Sequence, residues 1–168
     1  MFDHLKEDWR TYEGDIWRQG LWAMWVYRFG QWRYQVRPAW LRKPFSFLYK
    51  LQRTVIQMLT GIELPCETQV GRRLRIEHFG GIIVSGDAVI GDDVVIRQGV
   101  TIGLKRTNQR GAPQIGNRVD IGAGAKLLGP IRIGDDAVIG ANAVVLCDVP
   151  AGALAVGIPA RIILRRSH

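Results

Sequence analysis

Ile115-Gly116-Asn117-Arg118-Val119-Asp120-Ile121-Gly122-Ala123-Gly124-Ala125-Lys126-Leu127 places a branched aliphatic at every sixth position, and the beat continues without a slip through Ile133, Ile139 and Val145. Upstream the same interval joins Val84, Ile90, Ile96 and Ile102, usually followed by glycine or a small or acidic residue, as in Ala88-Val89-Ile90-Gly91-Asp92-Asp93. One short strand per six residues predicts a mainly β fold, a parallel β-helix between Gly71 and Pro150. Three hexads make one triangular coil. The aliphatics point inward, and glycine, asparagine or aspartate takes the corners, where unusual backbone angles are needed. Coils stack about 4.8 Å apart, so the repeat builds about four to five coils and a prism roughly 20 Å tall. Its interior is filled by side chains, so a ligand has to bind outside, on a face, at an extruded loop or between neighbouring prisms.

The composition changes near residue 60. Fourteen of the fifteen aromatics lie in residues 1–60, and seventeen of the twenty glycines come later. The 168-residue chain therefore divides into a helical segment, 1–60, and a β-helix domain, 61–168. Helices are predicted over 15–35 and 38–59, the second with proline near its first turn. Trp17, Leu21, Trp22, Trp25 and Phe29 describe an apolar stripe. The stripe either packs the helices together and onto a prism edge or a second subunit, or it meets a membrane. The second option follows from Arg18, Arg28, Arg33, Arg37, Arg42, Lys43, Lys50 and Arg53, which interleave with the aromatics as in interfacial helices. No segment has the ~18 uninterrupted apolar residues of a spanning helix. The start, Met1-Phe2-Asp3-His4, lacks the basic and then apolar order of a secretory signal. The expectation is a cytoplasmic protein with peripheral contact at the inner face of the membrane.

A formal charge of +8 and a pI near 10.1 suit an anionic cofactor or an anionic lipid surface. Nucleic acid is not expected as a partner, because no zinc finger, helix-turn-helix or aromatic RNA-binding signature is present. Cys66 and Cys147 are too few and too far apart in sequence for a disulfide framework or a metal site. No metal is expected, and both cysteines read as small buried packing residues.

Of the three histidines, His4 and His168 lie near the ends, and His78 lies inside the repeat. It sits in Ile76-Glu77-His78-Phe79-Gly80-Gly81, where the aliphatic register breaks and resets from Ile82 to Val84. Phe79 is the one aromatic beyond residue 60. Two bulky rings beside two glycines mark an external face modified for a purpose; the alternative is a plain surface histidine.

The run from Gly61 to Arg166 resembles the left-handed β-helix acyltransferases, and within them the serine acetyltransferase-like group that uses acetyl-CoA. Glu77-His78-Phe79-Gly80-Gly81 resembles that group's Asp-His-x-x-Gly motif. Ile121-Gly122-Ala123-Gly124-Ala125-Lys126 and Gly157-Ile158-Pro159-Ala160-Arg161 are similar to its cofactor-binding turns and C-terminal signature. The left-handed coil is taken from this resemblance. So are the roles: His78 as general base on an acceptor hydroxyl, Glu63 as the acid that orients it, and Glu77 and Phe79 as acceptor-binding residues. Backbone N–H groups of Gly103 and Leu104 would hold the oxyanion. Ala123 and Ala141 would admit the pantetheine arm, with Lys126, Arg161, Arg165 and Arg166 at the phosphates. The resemblance further implies acetyl-CoA as co-substrate, direct transfer in a ternary complex, and a homotrimer with the slot between subunits. The helical segment could join two such trimers.

Between Ile102 and Ile115 an extruded loop, 104–114, interrupts the hexads. Serine acetyltransferases carry Arg-His-Pro there, and this chain reads Gly111-Ala112-Pro113. That departure and the short, aromatic, basic N-terminal part resemble the acetyltransferases of exopolysaccharide and capsule assembly, of the colanic-acid type. The resulting expectation is a sugar or lipid-linked saccharide acceptor. Serine O-acetyltransferase and a non-catalytic β-helix scaffold are the alternatives.

Overall fold

A computed structural model describes residues 2–106 and 111–164, without the side chain of Phe2. Fifteen short strands wind into a parallel β-helix behind three helices, α1 (Phe2–Thr11), α2 (Gln19–Arg33) and α3 (Arg42–Thr60). The first face holds β1 (Ile62–Glu63), β4 (Ile82–Val84), β7 (Thr101–Gly103), β10 (Lys126–Leu128) and β13 (Val144–Val145). The second holds β2 (Gln69–Val70), β5 (Val89–Ile90), β8 (Gln114–Ile115) and β11 (Arg132–Ile133). The third stacks β3 (Arg75–Glu77), β6 (Val95–Arg97), β9 (Asp120–Ile121), β12 (Val138–Ile139) and β14 (Leu154–Val156), and ends on the antiparallel β15 (Arg161–Ile163).

The hexad aliphatics form the core. All ten named above, from Val84 to Val145, are at most 3% exposed. Each lies directly over its counterpart in the next coil, as Ile96 over Ile121 and Ile102 over Leu127. The burial stacks like on like and keeps the column dry.

The helices cover the open end of the prism. A first coil leaves one row of backbone groups without a strand partner, and helix side chains supply it. The Ile76 amide donates to Tyr12 Oη at 2.9 Å and the Cys66 amide to Tyr49 Oη at 3.1 Å. Tyr27 Oη donates to the Thr68 carbonyl at 2.9 Å, and Gln31 Nε2 to that of Cys66 at 2.6 Å. Two glycines let α2 come this close: a Cβ on Gly20 would lie 2.5 Å from the Ile76 carbonyl oxygen, and one on Gly30 2.5 Å from the Tyr49 ring.

Of the two options for the α2 stripe, the structure shows packing: Leu21 is fully buried, and Trp25 and Phe29 pack on the core. Other expectations change. Trp17, 77% exposed, precedes the helix. Helix α3 starts at Arg42, with Pro44 in its first turn and Pro38 outside it. Helix α1 was not anticipated. It docks through a buried ion pair, Asp8 to Arg28 at 3.0 Å, and a Trp9–Trp25 stack at 6.2 Å. Cys66 is buried as expected, but Cys147 is exposed.

Candidate active site

The corner between the third and first faces is not the same in every coil. Ile76 pairs with Ile96 on the third face, and Val84 with Ile102 on the first. Eight positions separate Ile76 from Val84 where six separate Ile96 from Ile102. Two extra residues therefore sit in the first corner, within His78-Phe79-Gly80-Gly81. The backbone φ is 64° at His78, 105° at Gly80 and 65° at Gly81. A side chain at positive φ is strained, and here the bulge turns it outward. His78 is exposed and Phe79 is 53% exposed. Among the described residues the imidazole makes no hydrogen bond, so both ring nitrogens are available to a ligand.

Two coils below the imidazole the corner turns to small residues. The strand register carries the His78 position down to Gln98, then Ala123, then Ala141. Backbone bonds lock that corner: Gly99 to Gly80, Gly124 to Gln98 and Asn142 to Ala123, each at 2.8 Å. At its base Arg161 pairs with Val156. Arg161 lies five strand spacings below His78, roughly 24 Å. The structure thus gathers His78, Ala123, Ala141 and Arg161 along one edge. Lys126 lies on the first face, and its Nζ donates to the Gly99 carbonyl at 2.5 Å and to Thr101 Oγ1 at 3.1 Å.

Other expected site residues are engaged elsewhere. The Glu63 carboxylate accepts from Arg53 Nη2 at 2.8 Å and from Gln57 Nε2 at 3.2 Å, both on α3, and its expected hydrogen bond to His78 is not formed. Glu77 pairs with Arg75 at 3.1 Å and Arg97 at 3.4 Å, and Arg97 also bonds Asp120. This places Glu77 in a row of alternating charge along the third face. Gly103 ends β7, and Leu104 follows it, at the far edge of the first face from His78; three residues of strand, about 10 Å, lie between. A single chain does not bring them together. Arg165, Arg166 and loop residues 107–110 lie outside the described residues. Among the described residues no group of three or more His, Cys, Asp or Glu could hold a metal.

Sequence reasoning missed Arg53, Gln57, Arg97 and Gln98. Arg53 and Gln57 are spaced i, i+4 on α3. Arg97 follows Glu77 by twenty residues, one full turn of the first coil, so the coil period would have found it. A cleft of about 530 Å³ lined by His4, Tyr27, Arg28, Gln31, Trp32 and Gln69 lies between the helices and the second face, and His78 is not among its lining residues.

Comparison with known proteins adds what one chain's geometry lacks. Residues 112–147 match the bacterial transferase hexapeptide (six repeats) family. Over 133 residues the chain is 42% identical to a serine acetyltransferase of Helicobacter pylori, covering 79% of this chain and 78% of that protein. A Brucella abortus serine acetyltransferase solved with coenzyme A superposes with a TM-score of 0.82 at 30% identity, over 98% of this chain and 68% of that one. The soybean enzyme complexed with serine gives 0.80 at 30% identity, over 96% and 68%. These relatives overturn the expected kinship with exopolysaccharide and capsule enzymes, and with it the sugar acceptor. The chain belongs to the serine acetyltransferase family of hexapeptide-repeat, left-handed β-helix acetyltransferases.

Proposed function

We propose that this chain transfers the acetyl group of acetyl-CoA to the hydroxyl of L-serine, with His78 as general base. The observation that carries the reading is an exposed, unengaged imidazole on a bulged corner whose column runs through Gln98 to the small Ala123 and Ala141. The relatives are serine acetyltransferases, one solved with coenzyme A and one with serine, and this supports it. In the proposed step a His78 ring nitrogen takes the hydroxyl proton as the serine oxygen attacks the thioester carbonyl. The tetrahedral intermediate then expels the thiolate, which recovers the proton from the imidazolium. Such base catalysis contributes about 10²–10⁴-fold. Glu63 is assigned to orient the ring. A carboxylate offers about four acceptor positions, so its bonds to Arg53 and Gln57 leave room for an imidazole N–H.

The pantetheine arm is assigned to the corner past Ala123 and Ala141, with Arg161 and Lys126 toward the phosphates. Lys126 reaches them by leaving the Gly99 carbonyl. Gly103 and Leu104 stand a face away from His78 in one chain, which favours a homotrimer in which a neighbouring subunit provides the oxyanion donors. The division at residue 60 belongs to the same proposal: a helical cover, then the catalytic prism. A cytoplasmic setting fits a reaction that consumes acetyl-CoA.

The test is thiol release from acetyl-CoA by the purified chain, with O-acetylserine identified by mass. Turnover above about 1 s⁻¹ with L-serine is expected. Release no faster with serine than with water as acceptor refutes the proposal.

A further inference from the structure

Helix α3 ends against the bulged corner that presents His78. Its last residue, Thr60, is buried, and the Thr60 carbonyl accepts from the Gly80 amide at 2.8 Å. Gly61 caps the helix at a φ of 64°, and its carbonyl accepts from the Ile82 amide at 3.0 Å. A Cβ on Gly61 would lie 3.0 Å from the Gly81 nitrogen and 3.2 Å from the Gly80 Cα, so the chain passes directly over the bulge. Glu63 follows two residues along, about 7 Å, in register with Ile83. Alternation along β1 buries Ile62 and turns Glu63 to the outside of the prism, where His78 also lies.

The carboxylate at this corner is held from the helix. Arg53 Nη2 donates to Oε1 at 2.8 Å and Gln57 Nε2 to Oε2 at 3.2 Å, from positions one helical turn apart, so each oxygen has its own donor. A free glutamate side chain samples many rotamers, and two donors on one rigid helix select among them. An ionised carboxylate only accepts, at about four positions. Among the described residues no other side chain donates to Glu63, so the unfilled positions suit a ring N–H. A partly exposed ion pair adds little to stability; place is what distinguishes this one. Arg118 with Asp136 joins one coil to the next, whereas Arg53 with Glu63 joins the helical cover to the acid assigned to the base.

We propose that Arg53 is a positioning residue: it fixes the Glu63 carboxylate so that Glu63 takes one ring N–H of His78 and leaves the other ring nitrogen toward the acceptor hydroxyl. Gln57 holds the second carboxylate oxygen. The inference rests on the reading above that Glu63 orients His78, and not on serine being the acceptor.

The test compares the full chain with Arg53→Ala, Arg53→Lys, Glu63→Ala and the Arg53→Ala/Glu63→Ala pair. Two readouts are used: thiol release with L-serine, and the ring-nitrogen NMR shifts of His78 at about pH 8, above the ordinary histidine value. Arg53→Ala is expected to lose about tenfold to a hundredfold in kcat, with the KM for acetyl-CoA unchanged and the thermal midpoint lowered by no more than about 4 °C. Arg53→Lys should recover most of the loss, since a single nitrogen makes the contact. In the Glu63→Ala background the Arg53 substitution should cost nothing further, the mark of a residue acting through Glu63. The imidazole is expected in one tautomer in the parent and as a mixture in both single variants. The proposal is overturned if Arg53→Ala keeps kcat within about twofold of the parent, or if the His78 tautomer does not change. It is also overturned if the loss is the same with and without Glu63, which assigns Arg53 to cofactor binding or to folding. A parent that leaves serine unacetylated, yet holds a single tautomer that Arg53→Ala loses, refutes the acceptor and sustains the positioning role. A parent that acetylates serine no faster than Arg53→Ala does the reverse.

Discussion

Removing the Asp8 carboxylate should destabilise the protein more than any surface substitution. Asp8 is 1% exposed and Arg28 8%, and their two bonds, 3.0 and 3.3 Å, are supplemented by a 3.4 Å contact from Arg28 to the Gly71 carbonyl. Asp8→Ala leaves a guanidinium in a site built for an ion pair, with one weak carbonyl contact as compensation. Breaking a buried pair from one side costs about 3–5 kcal/mol. At about 2–4 °C per kcal/mol for a chain of this size, the midpoint falls by roughly 10 °C. Replacing both partners, Asp8→Leu with Arg28→Met, removes the charge along with its partner and should return to within about 1 kcal/mol of the parent. Urea unfolding followed by circular dichroism measures both. Amide exchange over residues 2–11 separates global loss from undocking of α1 alone, since undocking raises exchange there first. The reasoning is refuted if Asp8→Ala costs less than about 1 kcal/mol and leaves α1 protected, or if the double variant is as damaged as the single one.

Other expectations are independent of that pair. Gly30→Ala puts a methyl within 2.5–2.6 Å of Tyr49 and Cys66 and should cost about 1–3 kcal/mol by forcing α2 from α3, measured as a lower urea midpoint. The Arg73 and Arg72 guanidiniums hold the Asp93 and Glu7 carboxyls below their ordinary values. Groups with depressed folded pKa values stabilise above their unfolded values, so this contribution is present at neutral pH and fades as pH falls below about 4. Arg73→Ala should remove the part that Arg73 supplies, chiefly at Asp93, so the variant should be less stable at pH 7 and the two proteins should converge in stability near pH 2. The resemblance implies Arg-His at the positions of Gly111 and Ala112, and their absence would remove a charged partner for the amino acid. The KM for serine should therefore be about 10- to 100-fold above that of relatives assayed alongside.

The prism was legible because a period of six admits one repeating burial pattern, and each aliphatic it nominated is in the core. The helices were legible in part. Helix α2 was marked by its aromatics, but their direction was not, since an apolar stripe reads the same whether it meets a core or a bilayer. The choice was made by the first coil's unpaired backbone groups, which need Tyr12, Tyr27, Tyr49 and Gln31 beside them. Helix α1 was legible and went unread: beneath Asp3, Lys6, Glu7, Asp8 and Arg10 it places Phe2, Leu5 and Trp9 at three- and four-residue spacings. Within the site, the broken register at Ile82–Val84 revealed the corner that bulges. The partners of Glu63 and Glu77 stayed hidden, since ion pairs between α3 and β1, or between successive coils, leave no short-range pattern. The acceptor was misjudged because one loop was given more weight than likeness spread over the chain.

The central claim is that the imidazole on the bulged corner removes the acceptor proton. The most direct measurement is kcat for thiol release with L-serine by the parent and by His78→Asn, a residue that tolerates the φ of 64° found there. A loss of about 10²–10⁴-fold in kcat, with the KM for acetyl-CoA and the thermal midpoint unchanged, is the predicted result. A variant that keeps kcat within about tenfold of the parent contradicts it.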